Sequence, residues 1–580
     1  MKFTLLTALW AFGTLHAQVQ DRRLVFSTFH GGDRDDDARA VVVDRSGHIY
    51  VTGETSSRDL THTPIGGKPL TLAVSKGYLT KYAPNGEKVL WRLLIGGSAN
   101  TVPSALALDP DGNVFVAGST DARDLPMKNA IQDKHGSTLS IAFLMKISPE
   151  GQLLFSTLYG GERKDDPRAL AVDSAGNLYM AGRATSSTFP VKNALQPKLA
   201  GGNDDGFIVK FTPDLKVAYA TYLGGTGADQ IHAIAVGPDD SLYVVGESSS
   251  NSIATPGAYV TALPPYSSFA ARLSADGQTL HYRTYIGWRS GYTVARAVAV
   301  DAAGQAWVAG DTTAKQMPTT SDAIQPAYGG GFRDGFLLRL TANGDGANYV
   351  SFAGGSFSGP VNQDETITAI RIDARGHLHA VGHTNSRDFP QHRTVQPAHG
   401  GAFDAFAFKL DHANKQIIYS TVWGGARNDQ AQAIALGPDE AVTIVGESLS
   451  SDLPVSAPAV QPRIASTNDA FVTQICDPWP GAQEPARFRY VRGAAVPEAQ
   501  VIQVWSGCTQ PFEVSEVTAN QPWLVPSPGA LTLPMPLRLS VNVEGLEPGD
   551  YRASVFVTVP DAFYPRLEIP VLLEVTDPAP

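Results

Sequence analysis

Seven side chains recur at one point of a repeated pattern and differ there in chemistry: Glu54, Ser119, Arg183, Glu247, Asp311, His383 and Glu447. Each directly follows the glycine that ends a strand-like run. A role confined to folding would not require carboxylate, guanidinium and imidazole in one slot, so these are the expected ligand contacts. Carboxylates and a histidine are also what a glycosidase or polysaccharide lyase would use. That keeps an enzymatic alternative open, with Glu247 and His383 as its test positions. Two aromatic residues join the set. Trp288 replaces the second glycine of a recurring Gly-Gly pair, and Trp423 precedes another such pair. Flat rings suit stacking on sugars. Tyr159 and Tyr292 occupy nearby positions in the repeat frame.

Two further rings run through the repeats. Asp36, Thr101, Asp165, Asp229, Thr293, Glu365 and Asp429 carry oxygen in every copy. Calcium would need six to eight oxygens converging within about 2.3–2.6 Å, and residues spread around a ring cannot converge. Capping of backbone N–H groups is the expected role. The runs Asp35-Asp36-Asp37 and Asp165-Asp166 leave a surface calcium as the one cofactor to consider. Three residues further on stand Arg39, Ser104, Arg168, His232, Arg296, Thr368 and Gln432. These are expected at a channel entrance, the arginines paired with the acidic ring. His377, His379 and His383 share one face of a strand, as metal ligands could. In other copies, however, Asn113 or Asn177 and Phe115 or Tyr179 stand in the places of the first two. The chain shows no HExxH, G-x-S-x-G, phosphate-loop or zinc-cysteine pattern.

The elements that must position these side chains follow from the repeat. The Gly-Gly pair stands at Gly31, Gly96, Gly160, Gly224, Gly354 and Gly424, with Gly287-Trp288 as its altered copy, at spacings of 65, 64, 64, 63, 67 and 70 residues. Each unit holds four strand signals, read in Leu153 to Lys216 as RALAVD, NLYMAG, DGFIVKF and an LLFSTLYGG-like string, joined by tight turns such as Asp173-Ser174-Ala175-Gly176. Four antiparallel strands repeated seven times predict an all-β, seven-bladed β-propeller. The first unit opens with a fourth-strand signal, Leu24 to His30, and the last stops at a third, Asp469 to Ile475. The N-terminal strand should therefore close the ring and remove its open edges.

The Ala220-Thr221-Tyr222-Leu223-Gly224-Gly225 string, the turn from Ala171 to Tyr179 and the segment Asp205 to Lys210 resemble the bacterial SBBP beta-propeller repeats, over about residues 24–475. The resemblance implies an exported or cell-surface protein and brings no catalytic residues. Residues 485–580 read as short alternating strands, an immunoglobulin-like β-sandwich. The Trp523 to Pro528 string, Leu546 to Val559 and Ile569 to Val575 resemble a BACON-type domain, a family associated with carbohydrate or mucin binding. Residues 477–484 would be the linker after a propeller spanning 18–476.

The chain has 580 residues, 45 Lys and Arg against 56 Asp and Glu, and a net charge of −11. Its acidity argues against nucleic acid or anionic membranes as partners. No stretch is long and apolar enough to span a bilayer. Residues 1–17 have the layout of a signal peptide: Lys2, an apolar Phe3 to Thr14, and Leu15-His16-Ala17 as the cleavage site. The two cysteines, Cys476 and Cys508, are an even pair, expected to form a disulfide in an exported protein. The sequence thus predicts a secreted or surface-bound monomer, a binding or scaffold protein contacting an extracellular glycan or another surface protein. A lyase or glycosidase and a structural envelope component are the alternatives.

Overall fold

The computed structural model describes residues 23–65, 74–137, 139–262, 267–288, 291–356, 364–476, 480–482, 486–508, 511–562 and 565–578. The expected signal peptide, and all of the expected linker but 480–482, lie outside these residues. Every extended element among them is a strand, as the all-β expectation required.

Seven sheets follow one another along residues 24–475. The third shows the plan: Asp165–Val172 innermost, then Leu178–Ala184, Asp205–Phe211 and Val217–Leu223, all antiparallel. The innermost strands of successive sheets touch, and that of the last, Asp429–Leu436, touches that of the first, Ala40–Val43. This is a closed β-propeller. Leu24–His30 pairs antiparallel with Asp469–Ile475 and completes the last sheet from the start of the chain.

The recurring motif residues form one network at each tight turn. Asp173 Oδ1 accepts the N–H groups of Ala175 (3.1 Å) and Asn177 (2.8 Å), and Gly176 takes φ 80°. Asp173 Oδ2 meets Lys210 Nζ at 3.0 Å, and that ammonium lies 4.7 Å from the centre of the Tyr179 ring. Asp109 with Lys146 (2.7 Å), Asp239 with Arg272 (2.6 Å) and Asp373 with Lys409 (2.9 Å) repeat the pair. The third-strand Lys or Arg is therefore a structural cation.

Each innermost strand also carries a bulge. Register shifts skip Ser104, Arg168, His232, Arg296, Thr368 and Gln432, each just before the recurring alanine. The bulge drives a carbonyl at the second strand's glycine. A Cβ on Gly182 would collide with the Asp166 carbonyl oxygen and lie 2.7 Å from Pro167 Cα, and the other six second-strand glycines meet the same obstacle. Glycine holds the fifth place of these strands because the bulge leaves no room there for a side chain.

Beyond the propeller lies a two-layer β-sandwich. One sheet orders Pro480–Ala482, Gln500–Ser506, Met535–Val541 and Leu524–Pro528; the other orders Ala486–Val491, Arg566–Thr576, Gly549–Thr558 and Glu516–Ala519. Ala486–Val491 runs parallel to Arg566–Thr576, and every other pairing in the two sheets is antiparallel. Val504, Leu537, Val555 and Val571 are fully buried between the layers. Cys476, just past the last propeller strand, is joined to Cys508 of the sandwich across a Cα separation of 5.2 Å.

Candidate functional site

Connections between the second and third strands, and between successive sheets, emerge on one face; tight turns occupy the other. The seven expected contact residues sit at the loop-bearing end of the second strands. There Arg183 pairs across with Asp166, Glu247 with Gln230, Asp311 with Val294, His383 with Thr366 and Glu447 with Gln430. The structure places these positions at the same end of the second strand in each sheet.

The bulged residues beside them divide into two kinds. Ser104 Oγ donates to the Pro167 carbonyl (2.5 Å), Thr368 Oγ1 donates to that of Ala431 (2.9 Å), and His232 Nδ1 lies 3.0 Å from that of Ala295. Each reaches the next sheet and ties neighbours together. The arginines instead turn to the contact ring. Arg39 binds Asp37 (2.8 Å) and Glu54 (2.7 Å), and Arg296 binds Asp311 (2.5 Å). The expected pairing with the ring of Asp36 and Asp165 does not form, because those carboxylates are turned into the protein and bind backbone N–H groups and hydroxyls there.

Asp36, Asp165 and Asp429 accept the N–H of Gly32, Gly161 and Gly425 at 2.7–2.8 Å, and the hydroxyls of Ser57, Ser186 and Ser450. Thr101 with Thr120 and Thr293 with Thr312 do the equivalent work through paired hydroxyls. Burial raises the carboxyls of Asp36 and Asp165 to about 6 despite these hydrogen bonds, and that of Glu365 to about 7. In the acidic runs proposed for calcium, Asp37 holds Arg39 and Asp166 holds Lys164 at 2.9 Å. No group of three or more His, Cys, Asp or Glu among the described residues is placed to hold a metal ion.

Several contact residues are already engaged. Arg183 is bound to Asp204, a short contact, and Glu247 to the Gln230 amide, with His232 Nε2 at 3.7 Å. Asp311 is buried under Arg296 and Arg333. Glu447 accepts from Asn468 at 3.2 Å. His383 stands edge-on to Phe403, and burial, with Arg296 and Arg333 nearby, lowers its pKa to about 4. His377 and His379 both lie on Asp373, at 3.0 and 3.1 Å, not around a common point with His383.

The two tryptophans are corrected. Trp288 is only 9% exposed and packs edge-on against Phe336; Trp423 is 2% exposed within the packing between sheets. Neither ring is available for stacking. Trp423 ends an outer strand whose last side chain points into the neighbouring sheet, and Trp288 folds over a third strand. Tyr159 is likewise buried, while Tyr292 is 47% exposed on the loop-bearing face.

Two clefts open on that face at equivalent repeat positions. One, of about 530 Å³, is lined by Asn100, Ser119, Arg123, His135, Ser140 and Lys164 among others. The second, of about 270 Å³, is lined by Asp204, Asp229, Glu247, Ser249, Tyr292 and their neighbours. Clefts are not confined to this face. The turn face holds one of about 630 Å³ around Ser46, Pro84 and Asp439.

A set of buried acids went unnoticed in the sequence. Asp205, Asp334, Asp404 and Asp469 begin third strands and are fully buried. Each lies beside the first-strand acid of the following sheet: Asp229, Glu365, Asp429 and, across the closure, Asp36. Where the third strand opens with Lys76 or Ser267 instead, the following sheet carries Thr101 or Thr293. Ile141, which opens a third strand ahead of Asp165, is the exception; the co-occurrence at the other six junctions was the available signal.

A stretch of 213 residues is 26% identical to the regulatory protein FlaEY of Caulobacter vibrioides; it is 36% of this chain and 22% of that protein, about a fifth of the relative's length. Among solved structures, the chain is similar to the Dos1 propeller (9% identity, TM-score 0.36, covering 77% of this chain and 96% of that one). It is also similar to an ulvan lyase bound to a GlcA–Rha3S unit (11% identity, TM-score 0.39, covering 75% and 96%). Residues 90–126 and 154–190 match the model of the SBBP family, described as Beta-propeller repeat, so the chain carries repeats of that family in these two segments.

Proposed function

We propose that this is an exported binding protein that presents the loop-bearing face of its propeller to an extracellular glycan. One observation carries the reading. Two clefts occupy the same repeat position on one face, yet one is lined by Arg123, His135 and Lys164 and the other by Asp204, Glu247 and Tyr292. The repeat builds one frame, and the chemistry of these solvent-reached positions differs between the two clefts. Clefts of this size with convergent polar groups suit small polar units of a larger ligand, and the exposed Tyr292 ring offers a stacking surface. Export is supported by the disulfide between Cys476 and Cys508, a bond that persists in oxidising compartments. The sandwich, with its BACON-like strings, would be a second carbohydrate contact or a spacer.

The test is binding of the full chain to an array of extracellular polysaccharides. Glu247→Gln combined with Tyr292→Ala should weaken binding, and Asp276→Asn on the turn face should not. Binding without release of oligosaccharides is the expected result. Steady product formation would favour a lyase or glycosidase, and capture of surface proteins alone would replace glycan by protein as the ligand.

A further inference from the structure

The channel ring is incomplete at one place. Three of its bulged residues are arginines, Arg39, Arg168 and Arg296, separated by the residues that tie neighbouring sheets together. Arg39 and Arg296 each bind a carboxylate at the contact position of their own sheet, Glu54 and Asp311. In the third sheet that position holds Arg183. Arg168 therefore lacks the carboxylate that its two counterparts have, and its guanidinium makes no hydrogen bond or ion pair with any described residue. It remains exposed at the channel mouth.

Nearby carboxylates do not make up the loss. Asp166 is taken by Lys164 at 2.9 Å, Asp204 by Arg183, and Glu247 by Gln230. None of these acids hydrogen-bonds Arg168, which meets them only through space. Lys164 also lines the larger loop-face cleft, with Arg123 and His135. Arg123 is exposed and likewise without a described partner. On a chain of net charge −11, Arg123 and Arg168 are thus two exposed arginines that no described carboxylate pairs with, whereas Lys164 is held by Asp166 and Asp121 also lines the cleft.

We propose that Arg168 receives a carboxylate supplied by the ligand, so that the glycan taken by the loop-bearing face is a uronate-containing polymer with a further acid group at Arg123. The inference rests on the binding reading above and names its ligand class. Glu54 on Arg39 and Asp311 on Arg296 show what the vacant place accepts, a planar carboxylate matched to the guanidinium fork. Sulfate esters share the charge but not this internal precedent.

The experiment is calorimetric titration of the full chain with oligogalacturonate, and with the same oligomer fully methyl-esterified. The acid form should bind, more weakly at high salt, and the ester should not. Arg168→Gln should weaken binding roughly tenfold or more, Arg168→Lys less, and Arg123→Gln by a smaller factor. Glutamine is compatible with the strand, since Gln432 holds the equivalent position in the last sheet; an unchanged unfolding midpoint checks this. Equal affinity for acid and ester, an unaffected Arg168→Gln variant, or no uronate binding at all overturns the proposal. If the face binds a neutral or sulfated glycan independently of Arg168, only this inference fails. If the array finds no glycan ligand, the binding reading fails with it.

Discussion

Asp205 and Asp229 flank Gly224, and each has one buried oxygen, Oδ1, without a hydrogen-bond partner. A Cβ on Gly224 would collide with Asp205 Oδ1 and lie 2.9 Å from Asp229 Oδ2. Asp334 Oδ1 and Glu365 Oε2 form the same relationship two junctions further on. Two ionised carboxylates sealed side by side repel each other and leave unsatisfied acceptors, which is costly. One proton between them relieves both penalties.

That arrangement sets the direction of the pH dependence. Burial raises Asp205 and Asp334 to about 6 and Asp404 and Glu365 to about 7, helped at Asp205, Asp404 and Glu365 by a neighbouring acid. A carboxyl raised in the folded state contributes stability that is complete below its unfolded value, near 4, and is lost as pH rises through 6 to 7. Five histidines lowered chiefly by burial, His30, His232, His383, His399 and His412, act oppositely below about 6.5, but the raised carboxyls, which also include Asp36, Asp165 and Asp429, outnumber them. The unfolding midpoint should therefore be higher at pH 5 than at pH 8. Asp205→Asn, whose amide can donate to Asp229, should recover roughly 1–2 kcal/mol at pH 8 and flatten the profile. Urea denaturation at both pH values is the check; a variant with the wild-type slope would remove the shared proton from the account.

The second-strand glycine fixes where Arg168 points. Gly182→Ala places a methyl group on the Asp166 carbonyl and must push the bulge out of shape. Overpacking of this kind costs about 1–3 kcal/mol. Uronate binding should fall with stability in this variant, whereas Gly176→Ala, at a turn with φ 80° on the far face, should cost stability alone. Equal binding losses in both would mean that the bulge does not position the site.

How much of this was legible in the sequence depends on whether the partners belong to one repeat. Sheet order, the closing strand and the tight-turn Asp repeat along the chain, so comparing copies exposed them. The bulge was hidden because one extra residue leaves the small and bulky alternation around Ala169 intact on both sides. Asp205 looked like a strand marker, since its partner Asp229 belongs to the next sheet. Trp423 looked exposed because two glycines follow it, yet the strand it ends is an outer one packed against a neighbour. Arg168 was assigned to the right ring, but its missing carboxylate became visible only beside Arg39–Glu54 and Arg296–Asp311.

The turn-face cations carry a third prediction. Lys409 and Asp373 are both fully buried and 2.9 Å apart. Burial alone would raise the Asp373 carboxyl, but hydrogen bonds from His377 and His379 and the Lys409 ammonium hold it far below the usual range. Its contribution is present above pH 4 and lost as pH falls. Lys409→Met should cost roughly 3–5 kcal/mol by taking the ammonium from a buried carboxylate. Adding Asp373→Asn should restore part of that loss, and additive losses in the double variant would argue against the pair as a unit.

The last prediction concerns closure. Leu24, Phe26 and Phe29 are at most 6% exposed in the strand that completes the last sheet. Burial of each contributes roughly 1.5–3 kcal/mol. The same segment carries Gly31, whose Cβ would lie 2.8 Å from both Asp36 Oδ2 and Asp469 Oδ1, so the closing junction repeats the carboxylate pairing of the others. Deleting residues 18–32 removes the strand and bares the edge of Asp469–Ile475, a row of backbone groups open to pairing with another chain. The unfolding midpoint should drop by well over the few degrees that about 1 kcal/mol produces. The truncated chain should also elute as oligomers. A monomeric truncation product with an unchanged midpoint would show that the ring is held by the contacts between innermost strands alone.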